Sequence, residues 1–212
     1  MAADAFLWEH VTVQNDGWSD VSIALISSGG LRSSIPAGEI KLNDITTVMP
    51  FSDTVDLVEL RGHHLLEVLE RSVEEYDLII LPGFFLQYSG LRVTYDVSRP
   101  AGNRVASVDV LCSYCPIPFY EPLDLENVYK IVVQSYLIEG GDGYTMIAEN
   151  MISHKTGRKD SEIMSSYLEQ HSPVAPRLEG RIIIIGETST APSLRVQRII
   201  IMLLFVIQWF IN

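Results

Sequence analysis

From Val21 to Ser27 the chain is apolar almost without interruption and then meets Ser28-Gly29-Gly30, a pattern that predicts a buried strand delivering a glycine-rich loop, with Arg32 just beyond the turn. Leu42 to Val48 reads as a short helix that Pro50 ends, leaving Phe51 on the loop that follows. Thr54 to Leu60 alternates as a strand does. Gly62 to Val73 then carries Leu65, Leu66, Leu69 and Val73 at helical spacing, as the core face of a helix. Leu91 to Val97 and Arg104 to Leu111 read as two strands joined through the turn-rich Ser98-Arg99-Pro100-Ala101-Gly102-Asn103. Val128 to Ile138 predicts a further strand that runs into Glu139-Gly140-Gly141-Asp142-Gly143. This second glycine-rich turn opens a helix over Tyr144 to Asn150, with Asp142 near its N-terminus. A helix over Asp160 to Gln170 and a last strand over Gly180 to Ile185 complete the pattern. Strands, helices and hairpins alternate in a way that predicts a mixed α/β (α+β) domain over residues 1–185.

The 212 residues suffice for one well-buried domain and leave little room for two. No repeat is present. A formal charge of −12, from 15 scattered Lys and Arg against 27 Asp and Glu, excludes a nucleic-acid backbone as partner, because that contact needs clustered cations. A small anion is compatible with this charge wherever a few arginines converge.

Beyond residue 185 the character changes. Residues 186–198 form a polar, small-residue linker, and residues 199–212 an almost wholly apolar tail interrupted by Gln208. A helix over Ile199 to Ile211 would reach only about 20 Å, short of the hydrocarbon core of a bilayer. Small residues at Ser189-Thr190-Ala191, a polar spacer and a short apolar terminus instead match a glycosylphosphatidylinositol (GPI) signal with attachment at Ser189; a tail anchor and a buried terminal helix are the competing readings. Met1 to His10 lacks the basic start and apolar run of a signal peptide. A lipid anchor without an export signal leads to the expectation that these residues are the C-terminal piece of a longer protein.

Three separated stretches could together supply a nucleotide pocket. Ser28-Gly29-Gly30-Leu31-Arg32 offers glycines for close backbone approach and a guanidinium for phosphate. Met49-Pro50-Phe51 and Tyr136 offer two rings for a base, and Asp142 a carboxylate for sugar hydroxyls. Each has a plainer reading: a tight turn for Gly29-Gly30, a surface cation for Arg32, a loop anchor for Phe51 and a helix cap for Asp142. The two cysteines, Cys112 and Cys115, have no second Cys or His pair at zinc spacing and no strand-to-helix redox setting. A disulfide clamping a turn is the favoured reading, and it fits an oxidising compartment. His63 and His64 point about 100° apart on a helix and cannot readily share a metal. His10, His154 and His171 have no partner at ligand spacing, so no metal is expected in this chain.

In order and setting these motifs resemble the C-terminal domain of the 5′-nucleotidase family, closest to its animal GPI-anchored members. The resemblance runs from Phe6 to Ile185 through Gly29-Gly30-Leu31-Arg32-Ser33, Met49-Pro50-Phe51, Thr54-Val55-Asp56-Leu57-Val58-Glu59-Leu60-Arg61-Gly62, Leu91-Arg92-Val93-Thr94-Tyr95-Asp96, Asp109-Val110-Leu111-Cys112 with Cys115, Val128-Tyr129-Lys130 and Gly140-Gly141-Asp142-Gly143. It implies that Arg32 contacts a substrate phosphate, that Phe51 and Tyr136 sandwich a base, that Asp142 holds ribose hydroxyls, and that Cys112 pairs with Cys115. It also implies hydrolysis of nucleoside monophosphates such as AMP by two divalent metals, zinc-like, held in a separate N-terminal domain that these residues do not include. Two departures stand out: Ser27 and Ser28 replace an Asn and a Gly, and Tyr136 replaces the commoner Phe. An extracellular, membrane-attached protein is the implied setting, with a homodimer as a candidate assembly. The alternatives are an apyrase-like enzyme cleaving ATP and ADP, and a noncatalytic nucleoside-binding or dimerisation module.

Overall fold

A computed structural model of the chain describes residues 1–11, 18–76 and 82–186. The linker, Ser189 and the apolar tail lie outside the described residues, apart from Gly186. In chain order the elements are α1 (Ala2–His10), β1 (Ile23–Ser27), α2 (Leu42–Val48), β2 (Val55–Arg61), α3 (Gly62–Val73), β3 (Leu86–Ser89), β4 (Leu91–Asp96), β5 (Val105–Leu111), β6 (Tyr120–Pro122), β7 (Val128–Gln134), α4 (Ser135–Ile138), α5 (Thr145–Asn150), β8 (Ser153–Lys155), α6 (Asp160–His171) and β9 (Ile182–Ile185).

The strands form two sheets, one ordered β3-β1-β7-β2-β8 and the other β6-β5-β4-β9. In the first, β1 and β7 run parallel, while β2 is antiparallel to β7 from Val55↔Gln134 to Arg61↔Val128. Both faces of this sheet are covered, which explains why its central strands read as continuous apolar runs. Ile23, Leu25, Val58, Leu60, Ile131 and Val133 face one core, shared with Leu65 and Leu69 of α3, Ile147 of α5 and Val93 and Tyr95 of the second sheet. Ala24, Ile26, Val55 and Val132 face the other, shared with Phe6 of α1, Ile45 of α2 and Ile163 of α6. Burying a side chain such as Ile23 or Val133 contributes about 1.5–3 kcal/mol, so a polar residue at either position would destabilise the packing of the sheet against the first core.

The predicted fold class stands, with corrections in detail. Residues 128–138 are not one strand: β7 stops at Gln134 and one turn of helix follows. The switch is tied to the loop that enters β2, since the Ser135 N–H donates to Thr54 O at 2.8 Å and Ser135 Oγ accepts from the Thr54 N–H at 3.2 Å. Residues 2–10, read only for the absence of a signal peptide, are helix α1, held by Ala3, Ala5, Phe6 and Leu7 against the sheet. Short β3, β6 and β8 were also not anticipated. Cys112 and Cys115 are joined by a disulfide, with Cα atoms 5.7 Å apart.

Candidate functional site

Topology alone brings the three stretches together. Parallel β1 and β7 end on the same side of the sheet, and antiparallel β2 begins there. The glycine loop leaves the end of β1, Phe51 stands in the loop entering β2, and Tyr136 and Asp142 follow β7. The result is an open rim rather than an enclosed cavity. A cleft of about 660 Å³ touches Leu31 of the glycine loop and is otherwise lined by residues outside the rim, Asp4, Tyr167, His171 and Arg181 among them.

Each motif is fixed by its own local chemistry. Gly29 and Gly30 form a single 3₁₀ turn with Ser28. The Gly29 N–H donates to Gly83 O at 2.6 Å, and a Cβ at Gly29 would come within 3.0 Å of that same oxygen, so a side chain there would force the two loops apart. Arg32 donates from its backbone to Val48 O at 2.9 Å and from Nη1 to Gly29 O at 3.2 Å. Among the described residues these bonds engage only one of its five guanidinium N–H donors, at the surface. At the start of α2 the Asp44 carboxylate accepts the Lys41 N–H at 2.8 Å, and at its end Met49 is buried as an anchor. Phe51, two residues further on, is therefore thrown outward and remains 60% exposed, with the Arg32 guanidinium 6.0 Å from its ring centre. The plain reading of Phe51 as a buried anchor fails here. Met49 has that role.

Tyr136 is 43% exposed, and its ring lies over Gly141, where a Cβ would come within 2.5 Å of the ring carbons. Neither Phe51 nor Tyr136 pairs with another aromatic ring among the described residues. Asp142 has a left-handed backbone, φ 55°, and makes no capping bond to α5, so it is not the helix cap that its position invites. Its carboxylate instead accepts two hydroxyls: Tyr136 Oη donates to Oδ1 at 3.0 Å and Ser27 Oγ to Oδ2 at 3.1 Å. This bond to a carboxylate holds the Tyr136 phenol above its ordinary pKa. Ser52, beside Phe51, also has a left-handed φ of 59°. A non-glycine residue held there stores local strain, and two of the three loops of the rim contain one.

Supporting residues came to light that the sequence did not signal. Arg71 of α3 donates from Nε to the Asp142 carbonyl at 3.1 Å, fills the space that a side chain on Gly143 would take, and stacks 4.2 Å over Phe84. Beneath the glycine loop, buried Gln134 sits against Gly30 and approaches the buried Asp160 carboxylate at 3.5 Å. Burial raises Asp160 to a pKa of about 6, with Asp53 adding repulsion. Asp53 in turn is raised by burial and by Glu139. Among the described residues no three His, Cys, Asp or Glu side chains form a group that could hold a metal ion. His63 and His64 have other partners, the Leu125 carbonyl and Glu67.

The family model described as "5′-nucleotidase, C-terminal domain" matches residues 1–149. An apyrase of Tabanus yao is 42% identical over 184 residues, 86% of this chain and 33% of that protein. The 5′-nucleotidase of Homo sapiens is 39% identical over 168 residues, 78% of this chain and 29% of that protein. Among solved structures, the 5′-nucleotidase precursor from Thermus thermophilus has a TM-score of 0.78 at 37% identity and covers 88% of this chain, which spans 35% of it. The chain belongs to the 5′-nucleotidase family, as its C-terminal domain. It spans about a third of the length of the relatives it matches.

Proposed function

We propose that this chain is the substrate-recognition part of an enzyme that hydrolyses nucleoside 5′-monophosphates, AMP-like, to nucleoside and phosphate. The observation that carries the reading is the convergence of Arg32, Phe51, Tyr136 and Asp142 at one end of a single sheet. In this reading the base stacks between the Phe51 and Tyr136 rings, a contact worth about 1–3 kcal/mol per ring and tolerant of base identity. Arg32 presents a planar fork to the phosphate. Asp142 accepts from the ribose hydroxyls, and Gly29 and Gly30 let the backbone approach the ligand closely. Water activation and leaving-group stabilisation belong to two divalent, zinc-like ions in a preceding domain. Binding energy from the rim positions the nucleotide for them, because uniform binding by itself does not accelerate chemistry.

The 212-residue chain supplied with Zn²⁺ or Mg²⁺ is expected to release no phosphate from AMP. Fused behind a metallophosphatase domain of the same family, it is expected to do so at a rate that falls on Arg32→Ala and Asp142→Asn. Metal-dependent hydrolysis by the chain alone, lost on Asp142→Asn, would place the chemistry here and contradict the division of labour. A second reading, an apyrase-like enzyme acting on ATP and ADP, is supported by the similarity to the Tabanus yao apyrase. Relative kcat/KM for AMP, ADP and ATP in the same fusion separates the two.

The setting proposed is the extracellular face of a membrane, with a lipid anchor at Ser189. The disulfide fits an oxidising compartment, and the Ser189 to Asn212 pattern fits a GPI signal. Expressed behind a secretory signal, the chain is expected at the cell surface and should be released by a phosphatidylinositol-specific phospholipase. Persistent attachment with the apolar tail still present would refute the anchor.

A further inference from the structure

We infer that Ser27 and Tyr136 are positioning residues that hold the Asp142 carboxylate ready for the vicinal diol of a ribonucleoside, and that they set a preference for ribo- over 2′-deoxyribonucleosides. The inference rests on the nucleotide-binding reading above and concerns two hydroxyls for which that reading has no use.

Asp142 sits between glycines, with Gly140 at φ 83° and Gly143 at φ 82°. Its backbone is anchored from below by Arg71 Nε at 3.1 Å, but that bond does not reach the side chain. Among the described residues, Ser27 Oγ, at 3.1 Å from Oδ2, and Tyr136 Oη, at 3.0 Å from Oδ1, select the carboxylate rotamer. Both tethers come from rigid supports. Ser27 is buried at the end of β1, and Tyr136 rests its ring on Gly141.

The proton on Ser27 has two acceptors in reach, Asp142 Oδ2 and Gly83 O at 2.9 Å. Gly83 O accepts the Gly29 N–H and keeps a second lone pair, so charge decides between the two, and a charged acceptor forms the stronger bond. The carboxylate is therefore the better partner for the Ser27 hydroxyl. A carboxylate offers about four acceptor sites, two on each oxygen. One on each is taken, leaving one on each oxygen for two adjacent hydroxyls. A 2′-deoxynucleoside would leave one of these unpaired, which is how a site built around a hydroxyl rejects an analogue that lacks it. Tyr136 thus has two separable functions: its ring stacks on the base, and its hydroxyl orients the group that reads the sugar.

The test compares adenosine and 2′-deoxyadenosine binding to the 212-residue chain by calorimetry, in the unsubstituted protein and in Tyr136→Phe, Ser27→Ala, Asp142→Asn and Tyr136→Phe/Asp142→Asn. The ribo preference is expected to fall about three- to tenfold in each hydroxyl-deleting variant, through weaker adenosine binding. Asp142→Asn should remove it, and adding Tyr136→Phe to Asp142→Asn should change it no further. A nucleotide-free measurement accompanies this: the Tyr136 ring carbon followed by NMR should titrate above free tyrosine and drop back in Asp142→Asn. A preference preserved or enlarged in Tyr136→Phe would overturn the positioning role while leaving the nucleotide reading in place. Equal binding of both nucleosides by the unsubstituted chain would overturn it differently, by showing that Asp142 does not read the sugar at all.

Discussion

Phe51 and Asp142 show what a single residue's sequence context can and cannot reveal. Both were legible as candidates because an aromatic after Met-Pro and an acid among glycines are distinctive. The plain alternatives, loop anchor and helix cap, could be decided only by seeing Met49 buried in place of Phe51 and the Asp142 carboxylate bonded to Tyr136 and Ser27. Arg71 was invisible for a different reason. Its bond to Asp142 joins positions 71 residues apart, and on helix α3 it reads as an ordinary charged residue of the last turn. At this scale Phe51→Ala and Tyr136→Ala should each weaken AMP binding by about 1–3 kcal/mol through loss of a stacking face; Phe51→Ala should leave thermal stability unchanged because that side chain is 60% exposed, whereas Tyr136→Ala also removes the packing on Gly141 and the bond to Asp142. Calorimetry and thermal melts on the same samples check this; unchanged affinity in both variants would remove the rings from the site.

Among the elements, those with a sustained period were legible and those created by tertiary ties were not. Helix α3 and the β4–β5 hairpin follow their patterns closely. The break between β7 and α4 escaped because Leu137 and Ile138 continue the apolar run, and one turn of helix is too short to show a period. What bends the chain there is the pair of bonds between Ser135 and Thr54, supplied by a residue far away in sequence. Asp160, at the start of α6, yields a prediction of its own. Its pKa rises from 3.8 to about 6 on folding, chiefly through burial, so the folded state holds the proton more tightly than the unfolded one. Stability therefore falls as pH rises through roughly 4 to 6, and the penalty is fully present above about 6, on the order of 1–3 kcal/mol. Asp160→Asn should flatten this part of the melting-temperature profile and raise stability at pH 7. A profile identical to that of the unsubstituted chain would show that Asp160 does not titrate as described.

For the whole molecule, the α+β class and the candidate residues of the rim could be read from the chain, whereas their convergence was implied by the family resemblance and not by local pattern. That depends on β1 lying parallel to β7 and β2 antiparallel to it, a pairing that local patterns do not encode. The same topology underlies the proposal that one end of this sheet recognises a nucleotide. Its most direct measurement is a crystal structure of the 212-residue chain with AMP. The account predicts the base between the Phe51 and Tyr136 rings, the ribose hydroxyls on Asp142 and the phosphate on the Arg32 side. A nucleotide seated elsewhere, for instance in the cleft beside Asp4 and Arg181, with the rim residues free of it, would contradict the account.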